Sequence, residues 1–103
     1  ENGLVLGIET LQGTNKLLRF VAETSSNLRL INFGGIFVKR PKANQDLRFD
    51  MPVIGPETIN LACRAGLRGM VVSPTSVIIL ERSKCIEIAE ANKFFILAED
   101  ALN

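Results

Sequence analysis

Short branched or aromatic runs, each closed by glycine, proline or a polar turn, constrain this chain more than any other feature of its sequence. Ile36-Phe37-Val38-Lys39, Gly69-Met70-Val71-Val72, Val77-Ile78-Ile79-Leu80 and Phe94-Phe95-Ile96-Leu97-Ala98 all have strand length, and such residues favour a pleated, half-buried surface. Leu4-Val5-Leu6-Gly7-Ile8 predicts another strand, from about Gly3 to Glu9. Between these runs the apolar spacing changes to three and four. Leu17, Leu18, Val21 and Ala22 share one helical face, so a helix running to about Thr24, capped by Thr14 or Asn15, should lie against a sheet. Gly55-Pro56-Glu57-Thr58 starts a second helix with proline at its first position and an acid in its first turn, and Gly66 closes it as a left-handed cap. A third helix, from about Arg82 to Asn92, should turn Cys85, Ile86, Ile88 and Ala89 inward.

The alternation of Leu47, Phe49, Met51 and Val53 with Asp46, Arg48 and Asp50 has a period of two, which predicts an extended segment. Pro52 removes a ladder donor and places that segment at an edge or a strand end. The runs on either side of Ser73-Pro74-Thr75-Ser76 predict a hairpin. Together the elements predict an α/β fold: a mixed β-sheet of about five or six strands with three packed helices. A chain of 103 residues with 47% apolar content suffices for one core, so residues 1–103 should form a single domain. Glu1 stands where a starting methionine would, and a strand follows almost at once, so the chain is expected to be a piece of a longer protein.

Twelve basic and eleven acidic residues leave a net charge of +1, too little to set up a field that gathers nucleic acid or an anionic bilayer. With no Trp or Tyr, and Phe mostly in apolar runs, base stacking has little support. Phe94 to Ala98, the longest apolar run, falls far short of a membrane span. The expectation is a soluble, cytoplasmic domain with at most peripheral contact with the inner membrane. Histidine is absent, which excludes a Ser-His-Asp triad or an HExxH zinc site within these residues. Cys63 and Cys85 form no CxxC pair and read as free core thiols. Neither a GxxxxGK[ST] loop nor a GxGxxG turn is present.

Charge is concentrated in residues 39–50, KRPKANQDLRFD, which hold Lys39, Arg40, Lys42, Arg48, Asp46 and Asp50. The cations suit a diphosphate, since ammonium and guanidinium groups donate charge-assisted hydrogen bonds to phosphoryl oxygens. The aspartates suit a hard divalent cation such as magnesium, Mg2+. On an extended chain, at about 3.3 Å per residue, their Cα atoms stand roughly 13 Å apart, so the two could hardly share one ion. Asp50 is the better ligand or catalytic carboxylate because it lies nearer the helix start at Pro56, whose partial positive charge favours phosphate. The same stretch also reads as a solvated loop whose cations pair with its own aspartates. The Gly13-Thr14 turn reads either as a plain helix cap or as a phosphate-touching helix start, and Glu9 and Glu81 read as carboxylates at strand ends.

Val38-Lys39-Arg40-Pro41-Lys42, Gln45 to Ile59 with its QDLRFDMPVIGPETI block, and Ala65-Gly66-Leu67-Arg68-Gly69 carry a resemblance, as do Ile8-Glu9 and Gly13-Thr14 upstream. They are similar to the signature of the UDP-2,3-diacylglucosamine diphosphatases (pyrophosphatases) of lipid A biosynthesis, the type unrelated to calcineurin-like phosphoesterases. The resemblance implies a two-domain, magnesium-assisted hydrolase that splits UDP-2,3-diacylglucosamine into UMP and 2,3-diacylglucosamine 1-phosphate. This chain would be its C-terminal domain and one wall of the active-site cleft, completed by an absent N-terminal domain. By position, Asp50 matches the family's essential aspartate and would hold the metal or the attacking water. Lys42 and Arg48 would act beside it on the phosphoryl charge. Lys39, Gln45, Asp46, Gly13, Thr14 and Thr58 would bind substrate. Gln12-Gly13-Thr14-Asn15 departs from the family's acidic EGTD-like tetrapeptide, two amides standing where carboxylates are expected, so no metal ligand is assigned there. The rival reading is a non-catalytic anion-binding or assembly module, and homo-oligomerisation is left open.

Overall fold

The computed structural model describes residues 5–9, 12–24, 34–39, 53–74 and 77–99. In chain order its elements are α1 (Thr14–Ala22), β1 (Ile36–Lys39), β2 (Val53–Ile54), α2 (Pro56–Arg64), β3 (Gly69–Val72), β4 (Ile78–Ile79), α3 (Arg82–Ala91) and β5 (Phe95–Ala98). Three helices and five strands make the fold α/β, with the strands divided between a three-stranded sheet, order β1-β3-β5, and a two-stranded sheet of β2 and β4. Every pairing among the described residues is parallel.

The register explains which face is buried. Phe37, Met70 and Ile96 lie side by side across the larger sheet, and Phe37 and Met70 are buried. They join Leu18 of α1, Ile59 and Ala62 of α2, and Cys85 and Ala89 of α3 in one core. The alternate rows, Ile36-Gly69-Phe95 and Val38-Val71-Leu97, face the other way, and Ile36, Val38, Phe95 and Leu97 stand about half exposed. The Phe95 ring lies over Gly69, where a Cβ would come within 2.2 Å of it. A strand glycine here lets the neighbouring aromatic fold across the sheet.

The expected hairpin between β3 and β4 is replaced by two parallel pairings. Both edges of β3 are taken, by β1 and by β5, so no ladder position is left for β4. It pairs instead with β2, Val53 opposite Ile78 and Ile54 opposite Ile79, and the Leu80 amide donates to the Ile54 carbonyl at 2.9 Å. The strand expected over Gly3 to Glu9 is likewise not formed over residues 5–9, where Val5 and Ile8 are each 76% exposed. An apolar run states what a segment can do, and a ladder partner decides whether it does. Of the extended stretch expected before α2, only Val53–Ile54 falls within the described residues.

α2 follows its local signals closely. Pro56 opens it, Glu57 stands in the first turn and Arg64 in the last. Beyond it Gly66 takes φ +76. The amides of Gly66 and Leu67 donate to the carbonyls of Cys63 and Ala62, which satisfies two otherwise orphaned acceptors. α1 departs from expectation at its start. Gly13 is its N-cap and, having no side chain, makes no capping hydrogen bond, while the Thr14 hydroxyl is engaged elsewhere; α1 neighbours α2 and sends Leu18 into the core beside Phe37 and Met70 of the sheet. Leu18 and Val21 are buried, whereas Ala22 is exposed. On α3, Cys85 and Ala89 are buried and Ile86 stays 46% exposed, since a helix of this length covers the sheet with one narrow stripe.

α3 ends as α2 does, with the amides of Lys93 and Phe94 donating to the carbonyls of Glu90 and Ala89. Lys93 takes φ +53 without being glycine. An L-residue in that region carries a steric cost of roughly 1–2 kcal/mol, part of which glycine loses again to its freer unfolded chain. Lys93→Gly is therefore expected to raise stability by about 0.5 kcal/mol, visible as a higher urea midpoint with an unchanged slope.

Candidate functional site

Lys39 is the last residue of β1, and it shares the helix-covered face of the sheet with Phe37, two positions earlier. That placement turns its side chain toward the start of α1. There Gly13 adopts φ +95, a backbone conformation that L side chains rarely adopt, and brings Thr14 round to meet the strand end. Three groups from three segments close into a ring. The Lys39 ammonium donates to Glu9 Oε2 at 2.9 Å, to Oε1 at 3.2 Å and to Thr14 Oγ1 at 2.9 Å. The Thr14 hydroxyl in turn donates to Glu9 Oε1 at 2.6 Å. The Lys39 and Glu9 side chains are only 12% and 25% exposed. Such a pair is held by geometry as much as by charge, because desolvation offsets much of the Coulombic gain.

Beside the ring a cleft of about 560 Å³ opens between residues 5–9, α1 and β1. Leu6, Leu17, Val21, Ile36 and Val38 line it, and Glu9 stands on its wall. The cluster thus sits at the C-terminal end of a parallel strand, the rim where α/β sheets place their ligands. In sequence, the cationic segment that begins with Arg40 follows Lys39 directly.

Of the residues singled out from the sequence, the fold brings Lys39, Gly13 and Thr14 together. Thr58 is placed apart from them in role. It is buried, and its hydroxyl accepts from the Gly55 amide at 3.2 Å, fastening the start of α2. Lys42, Gln45, Asp46, Arg48 and Asp50 lie outside the described residues. Glu9, noted in the sequence as a strand-end carboxylate within the family resemblance and given no role there, turns out to hold the cluster together. The signal for it was an acid shortly before a Gly-Thr helix start, with a lysine closing a later strand. Glu81 is exposed and sits at φ +49 as the N-cap of α3.

Among the described residues no group of three acidic, cysteine or histidine side chains could hold a metal ion. The Glu9 carboxylate is already occupied by Lys39 and Thr14. Both cysteines are free, and burial pushes both thiols up, with the Glu81 carboxylate adding to the effect at Cys85. Cys85 Sγ donates to the Leu80 carbonyl at 3.3 Å. Neither thiol is poised as a nucleophile at neutral pH, in keeping with their reading as core thiols, though Cys63 is only half-buried.

Residues 1–97 match the family described as the LpxI C-terminal domain. The chain belongs to that family. It is also 37% identical over 100 residues to the UDP-2,3-diacylglucosamine pyrophosphatase LpxI of Caulobacter vibrioides, a match covering 95% of this chain. The chain spans 36% of the length of that curated relative. Membership of the LpxI C-terminal domain family agrees with the resemblance carried by the QDLRFDMPVIGPETI block, which runs from Gln45 into α2. Among the described residues no helix is long and apolar enough to cross a membrane.

Proposed function

We propose that this chain forms the C-terminal part of a two-domain enzyme that hydrolyses UDP-2,3-diacylglucosamine to UMP and 2,3-diacylglucosamine 1-phosphate in lipid A biosynthesis. In this reading it supplies one wall of the active-site cleft. The observation that carries it is the Lys39 cluster at the C-terminal end of β1, set at the rim of an apolar cleft. The likeness to a pyrophosphatase named for that substrate supports it. The substrate is an amphiphile, with a diphosphate beside acyl chains, and a confined ammonium next to an apolar wall matches both halves.

In the reaction a water oxygen joins one phosphorus and the bond from that phosphorus to the bridging oxygen breaks, so negative charge grows on the departing phosphate. Lys39, with Lys42 and Arg48 from the following segment, would donate to the diphosphate oxygens as that charge grows. Gly13 exposes the first amides of α1 at the same rim, where the helix N-terminus favours an anion. Gln45 and Asp46 would contact the polar headgroup. Asp50 would orient the attacking water or hold a magnesium ion. The support for that ion is donor chemistry alone, since no cluster of metal ligands exists among the described residues. When bound it would neutralise phosphoryl charge. The enzyme would work in the cytoplasm, at most peripherally against the inner membrane.

The test is release of UMP from UDP-2,3-diacylglucosamine by the intact parent protein. Lys39→Met is expected to lower kcat/KM by about a hundredfold, the usual scale for removing one charge-stabilising donor. The 103-residue chain alone should turn over little or no substrate, because reacting groups from both parts must be held together. No UMP from the intact protein would remove the reading in favour of an anion-binding module, and full turnover by this chain alone would remove the two-domain assignment.

A further inference from the structure

We infer that Glu9 is a positioning residue for Lys39: its carboxylate and the Thr14 hydroxyl fix the ammonium at the strand end, an inference that rests on the function proposed above. A lysine stem has four rotatable bonds and samples many rotamers when free. Here its head is held from two sides, by both oxygens of Glu9 and by Thr14 Oγ1. Thr14 is itself locked, since its proton goes to Glu9 Oε1. The carboxylate therefore orders two groups at once, one of them on a segment 30 positions away in sequence. An ammonium has three donors. All three are met inside the ring, by Glu9 Oε1, Glu9 Oε2 and Thr14 Oγ1, so a phosphoryl oxygen would take the place of the longest contact, 3.2 Å to Oε1, from a direction that the fold sets before substrate arrives.

Glu9 also opposes part of the Lys39 charge, so its two effects on the reaction have opposite signs. Removing the negative charge frees the cation to bind a ground-state diphosphate more tightly. It also lets the head swing away from the direction in which the transition state needs it. The expected signature of Glu9→Gln in the intact parent protein is a kcat about tenfold lower with KM unchanged or reduced. Loss of folding alone lowers the amount of active enzyme and leaves KM where it was, so three further measurements carry the inference. In a Lys39→Met background, Glu9→Gln should change kcat by less than about twofold. Thr14→Val should lower kcat by several-fold, and Thr14→Ser, which restores the hydroxyl, should recover most of that loss.

A Glu9→Gln loss that multiplies with that of Lys39→Met, or a kcat unaffected by Glu9→Gln, would overturn the assignment. Should the wild-type protein release no UMP, the proposed reaction fails by itself. The positioning role is then read from thermal unfolding of the wild type, Glu9→Gln, Lys39→Met and the double variant: coupled midpoint shifts support it, and additive shifts overturn it.

Discussion

Asp50→Ala in the intact parent protein is expected to lower UMP release by a factor on the order of 10³, the scale for removing a carboxylate that acts on the reacting group. Asp50 closes the chain's densest charged block, residues 39–50, which begins with Lys39 at the end of β1 and precedes Val53 at the start of β2. The alternation around it sets Asp50 apart from Asp46 by roughly 13 Å if extended, so loss of one is not made good by the other. Asp50→Asn separates charge from shape. If the carboxylate orients water or holds an ion, the amide should be nearly as damaging as alanine. A variant whose thermal unfolding midpoint stays within about 2 °C of wild type reports on chemistry and not on folding. A variant with normal turnover would leave the enzymatic proposal without its principal group.

Ile59→Ala is expected to destabilise the chain by about 3 kcal/mol, in the usual range for truncating a buried aliphatic side chain to alanine. Ile59 is wholly buried on the face of α2, whose helix neighbours are α1 and α3. A cavity there loses contacts to both sides of the core at once. Small domains hold only about 5–15 kcal/mol in total, and each kcal/mol moves the midpoint of a domain this size by roughly 4–8 °C. The melting temperature should therefore fall by about 15 °C. Ile86→Ala on α3 is the internal control: the side chain is 46% exposed, and its loss should cost no more than about 0.5 kcal/mol. Equal losses from the two changes would mean that α2 does not hold the centre of the core.

What the residues determine alone is local in origin. Pro56 and Gly66 bracket α2 because one fixes a first-turn φ and the other accepts a left-handed one. The branched runs at Ile36 and Phe95 form strands because their side chains suit a pleated surface. The family was legible for a similar reason, since most of its signature lies close together in sequence, between Val38 and Gly69. Lys39, Gly13 and Thr14 were also visible as separate polar positions. Their meeting was not, because it depends on where β1 stops relative to the start of α1.

Tertiary structure decided the rest. The partner of β4 turned on which edges of β3 were already filled, and no property of the Ser73-Pro74 turn records that. The Thr14 hydroxyl left its expected capping role for Glu9 because Lys39 drew both toward the strand end. Thr58 went to the start of α2 because the Gly55 amide lay within its reach. Periodicity and caps are written in neighbouring residues, whereas strand partners and ion pairs compete over the whole chain and are settled only when the core closes.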